Sequence, residues 1–391
     1  MKLSILGSGL ERSEREKELL SQAELIVGSP RQLAPFGDDP RCRMALLPVE
    51  MAELLLQEAP ERACVLYGAD PGFHSGMGRL CELMAKHAQI EVLPGISSVA
   101  LLSARLQRPW QDWKLVSAHG REMDVLLELM DRRPLFVLCG GISQVNATLR
   151  ELVDAELGET KVTAGENLGM PGERVRCGSA AQLCDEEYGK MCVLLLEAPC
   201  PGRRNVPPGI KDEAFVRGKV PMTKREVRAS VLSRLQLRPG ETLWDVGAGT
   251  GSISVEASLL SCRVWAVERE EEALSLIREN RKRFGAWSLR PVPGEAPEIL
   301  EELPCPDAVF IGGSGGNLED ILDASLRANS RCRVCLTCVT LETLKRAMDA
   351  MNAFGLSPQC CQIAVTRAVR TGQVHLLRAE NPVFLIWGGQ A

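Results

Sequence analysis

Along the first 200 residues, short apolar runs alternate with segments in which apolar positions recur every three or four places. The runs at 3–6, 25–27, 44–47, 63–67 and 90–93 read as strands, and helical spacing at 13–21, 50–58 and 75–86 fills the gaps between them. A second group follows, with strands near 113–118, 134–138, 160–164 and 191–196 and helices near 122–130 and 143–156. This is the pattern of an α/β domain over 1–200, and the change of group near 118–121 predicts two lobes with a cleft between them.

Residues 197–222 lose the periodicity and carry five of the 23 prolines, which marks a linker at 201–220 ahead of a second domain at 221–391. In that domain a helix at 223–236 precedes strands near 242, 263, 288, 307 and 332, with helices between successive strands. Two long strands, 359–369 and 374–387, follow with no helix between them.

The stretch 242–268 carries the strongest chemical signal. Leu243, Trp244 and Val246 form a buried-strand pattern, Gly247, Gly249 and Gly251 supply a turn free of Cβ atoms, a helix begins at Ile253, and a second strand ends in Glu268. An acidic residue about 20 positions past such a turn is placed to accept hydrogen bonds from ribose hydroxyls. A dinucleotide fingerprint starting at Gly247 would need glycine at 252, where the chain has Ser252, so a pyrophosphate fits less well than S-adenosylmethionine. Asp245, at the strand end, suits the positively charged amino-acid end of that cofactor and would repel a phosphate. A mostly parallel seven-stranded sheet closed by an antiparallel hairpin is then the order of a Rossmann-like methyltransferase rather than of a dehydrogenase.

Three loops of the first domain, Gly7-Ser8-Gly9, Gly68-Ala69-Asp70-Pro71-Gly72-Phe73 and Pro94-Gly95-Ile96-Ser97-Ser98, each follow a predicted strand. Loops at the carboxyl ends of parallel strands are where α/β folds place ligands, and together these could line one pocket. Turn chemistry alone is the plain alternative for each of them.

Composition narrows the partners. A net charge of −5 removes the electrostatic case for nucleic acid, and no stretch is long and apolar enough to span a bilayer. Fifteen cysteines without a signal-peptide pattern point to free thiols and the cytoplasm. Cys332, Cys335 and Cys338 fall in a predicted strand, where residues three apart face opposite ways, so buried thiols and no metal are expected. Against the acidic whole, 201–228 holds eight Lys and Arg and three acids, a local balance of +5. Arg217 and Arg228 from this stretch, Arg367 from the later group Arg367, Arg370 and Arg378, and His119 from a cleft loop are candidates for holding a polycarboxylate. A solvated face is the alternative for the charge run.

The segments LYGADPGFHSG, EVLPGISSVALLSARL, RPWQDWKLVSAHGRE and KVTAGENLG resemble the tetrapyrrole (corrin and porphyrin) methylase family, most closely its cobalamin-pathway branch that methylates C5 of precorrins. The resemblance implies S-adenosylmethionine between two lobes, with Gly7, Gly9, Asp70, Pro71, Gly95, Ser97 and Ser98 in its walls. Ala69 and Leu10-Glu11 depart from the family's usual glycine and Pro-Gly. The segments RGKVPMTKREVR, LWDVGAGTGSISVEAS, PGEAPE and DAVFIGGSGGNLEDIL resemble the decarboxylating C15 methyltransferases of the same pathway. That resemblance places Pro221-Met222-Thr223-Lys224 over the cofactor, Gly294-Glu295-Ala296 near its adenine and Gly312-Gly313-Ser314 near the methyl donor, with Thr223, Lys224 and Ser314 as candidates beside the chemistry. Together the halves imply a bifunctional enzyme that methylates a precorrin at C5 and C15 and removes carbon dioxide from an acetate side chain. A homo-oligomer is expected, with each half folding alone and performing its own methylation. Another tetrapyrrole as substrate, a non-catalytic sensor of S-adenosylmethionine, and a ring with or without cobalt all stay open.

Overall fold

In a computed structural model the described residues are 1–7, 12–119, 123–131, 133–198 and 206–389. The first lobe runs β1 (Lys2–Gly7), α1 (Glu14–Gln22), β2 (Leu25–Gly28), α2 (Pro30–Leu33), β3 (Cys42–Met44), α3 (Pro48–Glu58), β4 (Arg62–Tyr67), α4 (Met77–Met84), β5 (Gln89–Leu93) and α5 (Ser98–Leu106). Its five strands lie parallel in the order β3-β2-β4-β1-β5, so the central strands are covered on both faces and read as continuous apolar runs. The strand expected at 44–47 is displaced to 42–44. Glu50 accepts the backbone N–H groups of Leu46 and Leu47 at 3.0 Å, and Pro48 opens α3, so 45–47 is a helix entry with Leu46 and Leu47 exposed. Helix α5 escaped the periodicity reading.

The second lobe comprises β6 (Lys114–Ser117), α6 (Val125–Glu128), β7 (Leu135–Leu138), α7 (Ile142–Asp154), β8 (Lys161–Glu166), β9 (Arg174–Ser179), α8 (Ala180–Leu183) and β10 (Cys192–Glu197), in a mixed sheet ordered β6-β7-β10-β8-β9. Because β6 pairs in parallel with β7, the lobes divide before residue 114. That is earlier than the break expected near 118–121, of which 120 and 121 lie outside the described residues. Strand β9 was not expected; it is a half-exposed edge whose charges hide the alternation.

The second domain follows the order α9 (Arg225–Leu235), β11 (Thr242–Val246), α10 (Ser252–Leu259), β12 (Arg263–Glu268), α11 (Glu271–Phe284), β13 (Leu289–Pro293), β14 (Ala308–Ile311), α12 (Leu318–Ala328), β15 (Arg333–Cys338), α13 (Leu341–Ala353), β16 (Gln359–Ile363), β17 (Thr366–Thr371), β18 (Val374–Ala379) and β19 (Val383–Gly388). Its seven-stranded sheet is ordered β13-β12-β11-β14-β15-β19-β16, parallel except for β19, which runs against both neighbours. Each of the two long strands expected here is broken once. β16 and β19 close the large sheet, while β17 and β18 form a separate ribbon that exposes Val374, Leu376 and Leu377. Between β13 and β14 only a 3-10 turn, Glu298–Glu302, replaces the expected helix.

The linker is shorter than expected. Gly209 and Ile210 donate backbone N–H groups to buried Glu256, Val216 donates to Asn280, and the Phe215 ring sits 4.7 Å from that of Phe284. Residues from about 209 are therefore part of the second domain. The two domains also share an apolar core that runs from Leu126 and Met130 to Ala286 and Trp287. Around it, Arg290 reaches Asp124 and Glu151, both at 3.0 Å, and Arg281, only 3% exposed, donates to the Ala155 carbonyl and faces Glu156. Residues 206–391 produced alone should unfold at a lower temperature than the same unit in the whole chain. Arg281 would lose an acceptor and Trp287 would meet water. Equal melting temperatures would show that this interface contributes nothing to stability.

Candidate functional site

Two sites are built at the carboxyl ends of parallel strands, one in each domain. In the first domain, a cleft of about 740 Å³ lies between the lobes, lined by Gly7, Asp70, Ser98 and His119 among others. Gly7 ends β1, and a side chain there would collide with Gly95 N, Ala69 O and the Pro71 ring, so the three glycine loops converge on one point. Ser97 has another task than open ligand contact: it caps α5, its hydroxyl accepting the Ala100 N–H at 3.3 Å. The Asp70 carboxylate turns its own loop by accepting the Gly72 N–H at 2.9 Å. Gly9 lies outside the described residues. The far wall comes from the second lobe, where Gly140, Gly165 and Gly169 face the cleft. Of these, only Gly165 and Gly169 lay in a segment already marked, and what reveals the wall is the antiparallel pairing of β8 and β10, which no local pattern encodes.

In the second domain the sheet order reverses direction between β11 and β14, and the loops after these two strands touch. A Cβ on Gly247, whose φ is +70°, would lie 2.6 Å from the Gly313 carbonyl oxygen, so the turn after β11 packs backbone to backbone against Gly312-Gly313. Above the turn, a Cβ on Gly249 would lie 3.1 Å from the Pro221 carbonyl oxygen, which sets the segment 220–221 over the crevice. Glu268, at the end of β12, accepts the Gly249 N–H at 2.9 Å and the Arg269 N–H at 2.9 Å. Its carboxylate is thereby held at the edge of the glycine turn. Glu295 is ion-paired with Arg269 at 2.9 Å, Ala296 is buried, and the Ala296 carbonyl accepts from Asn317.

Asp245 lies beneath the turn, 1% exposed. One carboxylate oxygen accepts the Ser254 hydroxyl, and the other is buried with no hydrogen-bond partner among the described residues. Burial pushes its pKa up to about 7, with the Ser254 hydrogen bonds opposing and the nearby Glu268 charge adding to the rise. Such an orphaned carboxylate under an anion-hostile, backbone-lined crevice suits a cationic group above it. Gly251, the third glycine, has a φ of +72° and starts α10.

Arg217, Lys219, Lys224 and Arg225 are exposed, and Thr223 and Ser314 are half-exposed. The Thr223 and Ser314 carbonyls accept from Arg228 and from the Asn317 N–H. Arg228 is not a substrate ligand. It is completely buried, its guanidinium donating to Asp212 at 2.8 Å, Glu256 at 2.9 Å and the carbonyls of Thr223 and Ile210. Five residues of charge pattern could not show that the helix turns this one inward. Arg367 on β17 is already engaged by Glu226 at 2.8 Å and Glu380 at 2.6 Å, which raise its pKa. Cys332, Cys335 and Cys338 are buried on or beside β15, and no group of three metal-ligating side chains occurs among the described residues.

A family profile for tetrapyrrole (corrin/porphyrin) methylases matches residues 6–184, and a second, for precorrin methyltransferase domains, matches residues 213–388. The chain is 33% identical, over 83% of its length and 81% of the relative's, to a precorrin-6Y C(5,15)-methyltransferase [decarboxylating] of Sinorhizobium. Its second domain is similar to a probable cobalt-precorrin-6B C(15)-methyltransferase (decarboxylating) of Pyrobaculum calidifontis, 46% identical over 46% of this chain and 94% of that protein. A solved structure of a precorrin-6Y C5,15-methyltransferase from Geobacter metallireducens is 40% identical, covering 47% of this chain and 96% of that one, with a TM-score of 0.45. No helix among the described residues is long and apolar enough to cross a membrane.

Proposed function

This chain belongs to the family of decarboxylating precorrin-6Y C(5,15)-methyltransferases, and we propose that it methylates a precorrin or cobalt-precorrin at C5 in the first domain and at C15 in the second. Loss of carbon dioxide from an acetate side chain accompanies the second step. The observation that carries the reading is the pair of separate crevices, each at strand carboxyl ends and each lined by close backbone approaches rather than by a catalytic triad.

S-adenosylmethionine, when bound, supplies an electrophilic methyl group on a sulfonium. The protein's task is alignment and charge placement. In the second domain Glu268 would take the ribose hydroxyls, Asp245 would face the cationic amino-acid end from below, and Gly247, Gly249, Gly312 and Gly313 would admit the cofactor against bare backbone. Glu295 and Ala296 would flank the adenine. Thr223, Lys224 and Ser314 would stand beside the chemistry, and the cations Arg217 and Lys224 would hold carboxylates of the ring. In the first domain Gly7, Asp70, Pro71, Gly95, Ser97 and Ser98 would form the cofactor wall, with His119 donating to substrate. Held by these residues, the cofactor would supply its methyl group to an enamine-like ring carbon, and the sulfur would leave with the electron pair of the carbon–sulfur bond. For decarboxylation the electron pair released with carbon dioxide passes into the conjugated ring. The described cysteines are all free, which fits a reducing cytoplasm, and the exposed apolar residues of the β17–β18 ribbon fit self-association.

In the full-length chain, Glu268→Ala should weaken cofactor binding at the second site by about ten- to a hundredfold, the worth of a charged hydrogen bond to the ribose. C15 methylation and carbon dioxide release should fall together while C5 methylation continues. Product masses separate the two, since one gains a methyl group and the other also loses carbon dioxide. Equal loss of both methylations, or of neither, would refute the division of labour.

A further inference from the structure

Three long cations line the cleft of the first domain: Arg12, which lies over the Phe36 ring at 4.7 Å, and two that face it without an acid of their own, Arg31 and Lys190. Arg31, on α2 of the first lobe, directs one guanidinium nitrogen to the Gly68 carbonyl at 3.4 Å and another onto the Met191 sulfur of the second lobe. Lys190 is the neighbour of Met191, exposed, and lines the same cleft. Neither has an ion pair among the described residues, whereas Arg15, Arg43, Arg105 and Arg174 of the same domain do.

The acids close by are committed. Glu16 accepts both the N–H and the hydroxyl of Ser13, at 2.6 and 2.9 Å, and Asp70 turns its loop. Glu166 takes the N–H of Gly189, beside Lys190, together with Arg174 and Arg176. Two cations from opposite lobes line one cleft without ion pairs among the described residues, and a bound anion would attract both. Leu6, Leu66, Leu101, Leu138 and Leu168 give the same cleft an apolar stretch of wall. An apolar wall and two cations in one cleft are complementary to a flat macrocycle that carries carboxylates on its edge.

Resting on the function proposed above, we propose that Arg31 and Lys190 are the two-lobed clamp for carboxylate side chains of the macrocyclic substrate at the C5 site. The requirement is for charge and reach, so Lys serves in part at position 31, whereas Ala does not.

The test uses the full-length chain with purified precorrin. Arg31→Ala and Lys190→Ala should each raise KM for C5 methylation about tenfold, and the double variant by roughly a hundredfold, with kcat little changed. Arg31→Lys should recover much of the loss. C15 methylation in the same samples is the internal control and should keep its KM. Calorimetry with S-adenosylmethionine in a Glu268→Ala background reports the first-domain cofactor site, whose affinity should not move. If cofactor affinity falls instead of substrate affinity, the cations hold the cofactor's carboxylate and the proposal is wrong. An unchanged KM, or equal shifts for C5 and C15, also overturns it. Failure of the parent protein to add a methyl group at C5 would instead refute the functional reading on which the clamp rests.

Discussion

Asp245→Asn should stabilise the ligand-free protein above neutral pH and at the same time weaken its hold on S-adenosylmethionine. The carboxyl is buried, one oxygen has no hydrogen-bond partner among the described residues, and its pKa is pushed up from 3.8 to about 7. With the folded pKa above the unfolded one, the folded state binds the proton more tightly. Its contribution to stability is complete below about pH 4 and is lost as pH rises toward 7, after which the curve is flat. A shift of this size corresponds to an upper bound of about 4 kcal/mol, at roughly 1.4 kcal/mol per pKa unit. Asparagine cannot ionise and keeps a hydrogen bond to Ser254, so chemical denaturation between pH 4 and 8 should show a flatter profile for the second-domain transition, with the variant more stable at pH 8. Cofactor affinity should fall by about ten- to a hundredfold, because the negative charge under the crevice is gone. In the parent that affinity should rise through pH 7 as Asp245 ionises. A variant that binds as tightly as the parent at pH 8 would mean that the charge serves only to place Ser254.

Arg228→Ala should be among the most damaging single changes in the second domain. The guanidinium is 0% exposed and ties three parts of the chain together: Asp212 and Ile210 from the entry segment, the Thr223 carbonyl before α9, and Glu256 on α10. It also lies over the Phe215 ring at 4.7 Å. Truncation would leave Asp212 and Glu256 buried without their partner, a loss of about 3–5 kcal/mol, which for a domain of this size is on the order of ten degrees in melting temperature. The entrance segment over the glycine turn should loosen with it. If Arg228 held substrate instead, the variant would melt like the parent and show only a raised KM. Thermal unfolding and steady-state kinetics on one preparation decide between these outcomes.

The stretch 242–268 shows how far local pattern reaches. A strand, a glycine turn, a helix and a second strand are set by near-neighbour chemistry: alternation of burial, absence of Cβ atoms and a terminal carboxylate. All of these are properties of a few consecutive residues, so the βαβ unit, the Glu268 position and the identity of the parallel strands could be read directly. The three loops of the first domain were legible for the same reason, since each follows its own strand. Edge strand β9 and helix α5 were not, because partial exposure blurs the period on which the reading depends.

Charge behaved differently. Within 201–228 the sequence shows a basic run and nothing more, yet Arg217 and Lys224 are exposed while Arg228 is sealed inside. A side chain's partner is fixed by which distant segment packs against it: Glu256 is 28 residues from Arg228, and Glu166 is 23 residues from the Gly189 N–H beside Lys190. The same holds for the interface of the two domains, where Arg290 meets Asp124 across 166 residues, and for the break of the long terminal strands into a sheet pair and a free ribbon. The sequence by itself determined the two α/β units, their glycine crevices and the family chemistry, because those are written in short-range spacing. Which charges are structural, which face a ligand and how the units join was decided only by the tertiary structure, because burial and pairing are properties of the packed chain and not of any one stretch of it.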